Sequence, residues 1–256
     1  MKRLLPHHLQ EKINPSRTKK QEPGFIEVVH NGQVYPVILN RRSTCRRLIL
    51  RVSQTTGKTS LTLPPSVSLQ TALEFVTKQK DWMITRTVRV PPQTPFEEGM
   101  TIPIRGENHC IVRKDGRGQT GIIQDENQNP ILVVHCAKEH LARRIKDFLK
   151  QLAHKDLKQS VDKYSKAIGK KVNRVTLRDT RSRWGSCSSA SNLNFSWRLI
   201  MAPPFVLDYL AAHEVAHLQE MNHSSDFWKL TRSLCPDTNR AEIWLKKHGA
   251  SLHRYQ

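Results

Sequence analysis

From Phe25 onward, apolar and polar residues alternate in short runs, the period of half-buried strands: Phe25 to Val29, Val34 to Leu39, Leu48 to Val52 and Ser60 to Leu63. Asn31-Gly32 and Thr56-Gly57 are turn signals between these runs, so the pattern predicts a small antiparallel sheet. Pro64-Pro65 ends it, and Leu69, Leu73, Val76 and Trp82 to Ile84 suit an amphipathic helix packed on that sheet. Pro91-Pro92 and Pro95 mark a connection. Further strands are expected at Thr101 to Ile104, Cys110 to Val112, Gly121 to Ile123 and Ile131 to Val134.

The period then changes from two to about 3.6. Leu141, Ile145, Phe148, Leu149 and Leu152 share one stripe of a long helix expected from Lys138 to Ile168, with Gly169 as its stop. The opposite face carries Arg143, Arg144, Lys146, Lys150 and Lys155. Two strands are expected at Val172 to Arg178 and Leu193 to Ile200, joined by a turn at Trp184-Gly185-Ser186-Cys187-Ser188; in the second, Leu193, Phe195, Trp197 and Leu199 form the core face. Pro203-Pro204 suits the start of a helix that continues through Val206, Leu207 and Leu210 into Ala211. Ser224 or Ser225 can cap a short helix that Pro236 ends, and a last helix from about Thr238 is expected to stop at Gly249. His248 and His253 fall near the terminus as exposed residues. The elements amount to an α+β fold: a basic tail over 1–24, a β-rich region over 25–135, and a helical region with its own strands over 136–256.

Composition narrows the function classes. The formal charge of +20 over 256 residues sets up a field that attracts polyanions, so nucleic acid stands as a partner class, but the charge is spread along the chain instead of gathered in one motif. Asp115-Gly116-Arg117-Gly118 is followed by no Gly-Lys-Ser/Thr, which makes it a turn and not a phosphate loop. Five cysteines without a Cys-x-x-Cys pair argue against a disulfide framework. No apolar run approaches the ~18 residues that span a bilayer, and a cytoplasmic location without membrane contact is expected.

The chemistry lies in Ala211-Ala212-His213-Glu214-Val215-Ala216-His217. On a helix, His213 and His217 stand one turn apart on one face and can reach a single zinc ion. Glu214, one position round, can meet a water at that ion without entering its coordination shell, which suits a general base. A catalytic zinc takes three protein ligands. His223 is the third choice, with the helix turning back after Met221 and Asn222 as the left-handed pivot. Glu242 is the alternative third ligand.

Thr180-Arg181-Ser182-Arg183-Trp184-Gly185-Ser186-Cys187-Ser188, Asn194 to Leu199, His213 to His217 and Asn222 to Trp228 together resemble the YgjP-like zinc metallopeptidases, relatives of the SprT-like and WLM-type proteases. The likeness extends more weakly through Arg46 to Arg51 and Phe75 to Trp82. It implies His213, His217 and His223 as metal ligands, Glu214 as base, a zincin-like catalytic region, and an edge strand that pairs with an extended substrate. One departure from the related metzincin pattern is Glu220, which stands where those enzymes have a turn glycine.

The expected activity is therefore zinc-dependent hydrolysis of an amide bond in a polypeptide. Two other readings use the same residues: hydrolysis of a nucleotide phosphoanhydride, and nucleic-acid binding with a secondary or structural zinc site.

Overall fold

The computed structural model describes residues 24–53, 56–88, 93–180 and 182–255; the expected basic tail and the Pro91-Pro92 connection lie outside them. The chain divides after Ile84 into two compact units, apart from residues 53–57, which group with the second. The sequence expectation puts the boundary at 135/136. The second sheet shares one apolar core with the later helices.

In the first unit, β1 (Phe25–His30) and β2 (Gln33–Arg41) form a hairpin whose turn residues Asn31 and Gly32 both have positive φ. The sheet is not wholly antiparallel. Its order is β1-β2-β4-β3, with β4 (Thr59–Leu63) parallel to β2 and antiparallel to β3 (Ile49–Val52). Leu61 and Leu63 of β4 are fully buried, whereas β3 is half exposed and carries Arg51, so burial sends β4 to the interior and β3 to the edge. The expected single helix is two: α1 (Leu69–Lys78) and α2 (Lys80–Val88) break at Gln79. Ala72, Val76 and Met83 face the sheet, and Leu73 and Trp82 are exposed.

The second unit opens with β5 (Thr101–Ile104), β6 (Glu107–Lys114), β7 (Gly121–Gln124) and β8 (Pro130–His135), in the order β5-β6-β8-β7 that repeats the arrangement of the first sheet. Against it lies α3 (Leu141–Ala167), whose stripe Leu141, Ile145, Leu149, Ala153, Leu157, Val161 and Tyr164 is buried. Gly169, at φ 64°, ends the helix: its N–H and that of Lys170 bond back to the carbonyls of Lys166 and Ser165.

The third sheet has the order β10-β11-β9, with β11 (Asn192–Ser196) parallel to β9 (Arg174–Arg178) and antiparallel to β10 (Gly185–Cys187). Two expectations change here. The Gly185-Ser186-Cys187 segment is a short edge strand and not a turn, and the strand expected to run to Ile200 ends at Ser196, where Trp197–Met201 winds into a fully buried 3-10 turn. The sheet edge nearest the next helix is therefore β10.

That helix, α4 (Pro204–Ala216), is buried on nearly every side, as a helix at the centre of a core must be, and so has no polar face. α5 (Ser225–Leu234) is capped by Ser224, whose hydroxyl accepts from the Phe227 N–H at 3.3 Å. α6 (Thr238–Leu252) runs past the expected stop, because Gly249 packs there against Trp184, leaving 3.2 Å for a Cβ. His253 is buried against the same indole at 4.8 Å, not exposed.

Candidate metal centre

α4 carries His213 and Glu214 on its last turn, and His217 is its C-cap. The helix ends five residues before the expected turn at Met221. Leu218 and Gln219 bond back to Val215 and Ala216 in tight turns, after which Gln219, Met221 and Asn222 are exposed and offer no face to bury. Neither Asn222 nor Glu220 has positive φ, so the chain reverses through ordinary backbone. No glycine is required at 220, and Asn222 is not a left-handed pivot.

The reversal brings His223 back over α4. Its Nε2 lies 3.2 Å from Nε2 of His213, and one ring nitrogen from each of His213, His217 and His223 lies within 4.8 Å of the others. Two nitrogens held by one tetrahedral zinc at 2.0–2.1 Å stand about 3.3 Å apart, so the His213–His223 spacing fits a shared ion. Phe227, fully buried on α5, sits against all three imidazoles at 4.9, 4.5 and 4.7 Å. It forms an apolar floor, and the Ser224 cap holds it one turn from His223.

The free nitrogens are set by their partners. Nδ1 of His217 lies 2.9 Å from the Glu220 carbonyl, which can only accept, so Nδ1 carries the proton and Nε2 keeps its lone pair. Nδ1 of His213 lies 3.3 Å from the Tyr209 hydroxyl, one turn back on α4. Burial, then the neighbouring His217 and His223, push His213 down to about 3; burial likewise lowers His217, against the opposing pull of the Glu220 carbonyl. Both imidazoles are neutral at neutral pH, the state a metal requires. Glu242, the alternative ligand, is not among the clustered groups. Its carboxylate acts instead on the Tyr209 hydroxyl, whose pKa burial raises and Glu242 raises further. Glu242, Tyr209 and His213 thus form a chain in which a carboxylate acts on a hydroxyl that meets an imidazole.

Glu214 is 3% exposed, and its Oε2 has no hydrogen-bond partner. Burial drives its pKa up to about 8, with the charge of Arg183 partly opposing. Its closest neighbour explains the Trp-Gly-Ser-Cys segment: a Cβ on Gly185 would overlap the Glu214 carboxylate, with Cγ and Cδ both at 2.7 Å. Only glycine lets β10 pass this close to α4. Gly185→Ala is accordingly expected to displace Glu214, lowering any hydrolytic turnover at least about tenfold and stability by about 1–3 kcal/mol. Turnover and thermal melting of the variant measure both effects.

The three imidazoles, Glu214, Arg183, Met221 and β10 line a cleft of about 300 Å³. Cys187 is part of this wall, and burial followed by the Glu214 charge pushes its thiol up to about 11, so it is no thiolate at neutral pH. Sequence reasoning brings forward His213, Glu214, His217 and His223, and the fold gathers all four. It assigns no role to Phe227, Gly185, Tyr209 or Arg183. Of these only Tyr209, four residues before His213, carries a local signal.

Among the described residues no helix is long and apolar enough to cross a membrane. No curated protein and no solved structure gives a significant match to the chain. The family model described as YgjP-like, metallopeptidase domain, matches residues 46–248, which takes in the first sheet from β3 onward, α3, the third sheet and the histidine cluster. On a match over most of its length, the chain belongs to the YgjP-like metallopeptidase family.

Proposed function

We propose that the protein is a zinc-dependent peptidase in which His213, His217 and His223 hold the metal and Glu214 is the general base. The observation that carries this reading is the buried, unpartnered Oε2 of Glu214 in a cleft walled by three converging imidazoles. A carboxylate left without a partner inside a protein costs free energy, and it is retained where a ligand such as water meets it.

Zinc held by these three imidazoles would acidify a water and polarise a substrate carbonyl. Glu214 is placed to orient such a water and take its proton. A carboxyl whose pKa burial raises is, once ionised, a stronger base than an exposed one and can hand the proton on to the departing amine nitrogen. His217 is kept in a single tautomer by the Glu220 carbonyl, the Tyr209 hydroxyl meets Nδ1 of His213, and Phe227 closes the floor to solvent. β10, at the open edge of its sheet, offers backbone hydrogen bonds to an extended peptide laid along the cleft. Such pairing reads backbone and not side chains, which favours unfolded polypeptide as substrate.

The test is cleavage of fluorescently labelled, unfolded casein by the purified chain. Cleavage is expected to vanish with a chelator and to return on adding about one equivalent of zinc. Persistence in chelator, or metal-dependent hydrolysis of a nucleoside triphosphate without cleavage of casein, would replace this reading.

A further inference from the structure

Arg183 stands at the mouth of the same cleft, on the two-residue approach to β10. Its carbonyl accepts from the Thr180 hydroxyl at 2.8 Å, and the carbonyl of the next residue, Trp184, accepts from the Ser196 N–H at 2.8 Å. Its guanidinium is exposed, and no carboxylate among the described residues pairs with it. Asp179, the nearest acid in sequence, is committed to the buried Arg198 at 3.0 Å. Some other arginines of this unit are ion-paired, Arg105 with Asp156, Arg113 with Glu98 and Arg240 with Asp237, but these do not line the cleft. Arg183 is thus a cation with no ion pair among the described residues, lining the cleft with Glu214 and the three imidazoles.

We infer that Arg183 is the donor that stabilises the oxyanion formed when water adds to the scissile carbonyl. The inference rests on the peptidase reading of this cleft. In the addition step an O–H bond of water breaks and its proton goes to Glu214. A C–O bond forms, and the carbonyl π pair moves onto oxygen. That oxygen gains a full charge only as the transition state is approached, so a guanidinium aimed at it lowers the barrier more than it tightens ground-state binding. In the collapse step the pair returns, the C–N bond breaks, and the amine nitrogen takes the proton from Glu214. Arg183 and Glu214 line the same cleft, so a carbonyl attacked by water that Glu214 activates lies within the field of this cation.

A guanidinium that bound a substrate carboxylate would instead act equally on ground and transition states and set KM. The two roles separate in the zinc-loaded full chain. Arg183→Ala is expected to lower kcat on labelled casein by about 10²-fold with KM changed less than about threefold, and Arg183→Lys to recover part of the loss. Zinc content and melting temperature should match the parent. An alanine-rich peptidyl phosphonate, whose tetrahedral anion imitates the charged species, should bind Arg183→Ala about 10²-fold more weakly by calorimetry, and the corresponding uncharged peptide equally well. An unchanged kcat, a rise in KM alone, or loss of zinc together with activity would each overturn the assignment. Glu214→Gln is run beside it: if that variant keeps full activity, the peptidase reading has failed and Arg183 falls with it, whereas a dead Glu214→Gln beside an active Arg183→Ala removes Arg183 alone.

Discussion

Glu214→Gln is expected to abolish cleavage, with turnover down by about 10²-fold or more, while the protein keeps its zinc and its fold. The amide has the size and shape of the carboxylate, so the close pass of Gly185 beside it is preserved. It cannot accept a proton at neutral pH. Because Oε2 has no protein partner, the substitution breaks no internal hydrogen bond of that atom, and melting temperature should hardly move. Activity assays, zinc content and thermal melting on one preparation give the answer. Release of zinc or unfolding would mean that the carboxylate is structural, and the hydrolytic reading of α4 would be withdrawn.

The second large effect is on the metal. His213→Ala, His217→Ala and His223→Ala are each expected to weaken zinc binding by about 10²-fold or more, since each leaves two of four positions to solvent. Glu242→Ala should cost less, on the order of tenfold, because its carboxylate acts on Tyr209, which meets His213, and is not among the clustered groups. Competition with a zinc-binding dye ranks the four variants. A larger loss for Glu242→Ala than for His223→Ala would make the site a two-histidine, one-glutamate centre and leave the return of the chain after α4 without a role in metal binding.

His213, Glu214 and His217 are legible in the sequence because their relation is contained in one helical turn: once the segment is a helix, the 3.6-residue period places both imidazoles on one face. His223 can be named from its short distance along the chain, but the path to it cannot. The expected helix is too long and its pivot misplaced, because the stop is made by an i to i−3 bond at Leu218 and by the exposure of Gln219, Met221 and Asn222. Glu242 is chemically able to ligate as well. Only the packing of α6 against α4 directs its carboxylate to Tyr209 and away from the histidines.

Strand positions in the first two sheets follow from alternation, since a side chain's face is decided by its own strand. Which strands are neighbours is a different matter. The parallel pairings of β2 with β4 and β6 with β8 escape the sequence pattern because pairing order depends on which strand is buried most, a comparison among segments far apart in sequence. β10 shows the limit most clearly: Gly-Ser-Cys has the composition of a turn and becomes a strand because β11 supplies its hydrogen bonds.

By itself the sequence determined the chemistry held in a single helical turn, two imidazoles and a carboxylate, because local backbone geometry carries that information. The tertiary structure decided what surrounds it: Phe227 under the imidazoles, Gly185 against Glu214 and Arg183 in the cleft lining. Those contacts join segments whose approach is set by burial of the whole core and not by spacing along the chain.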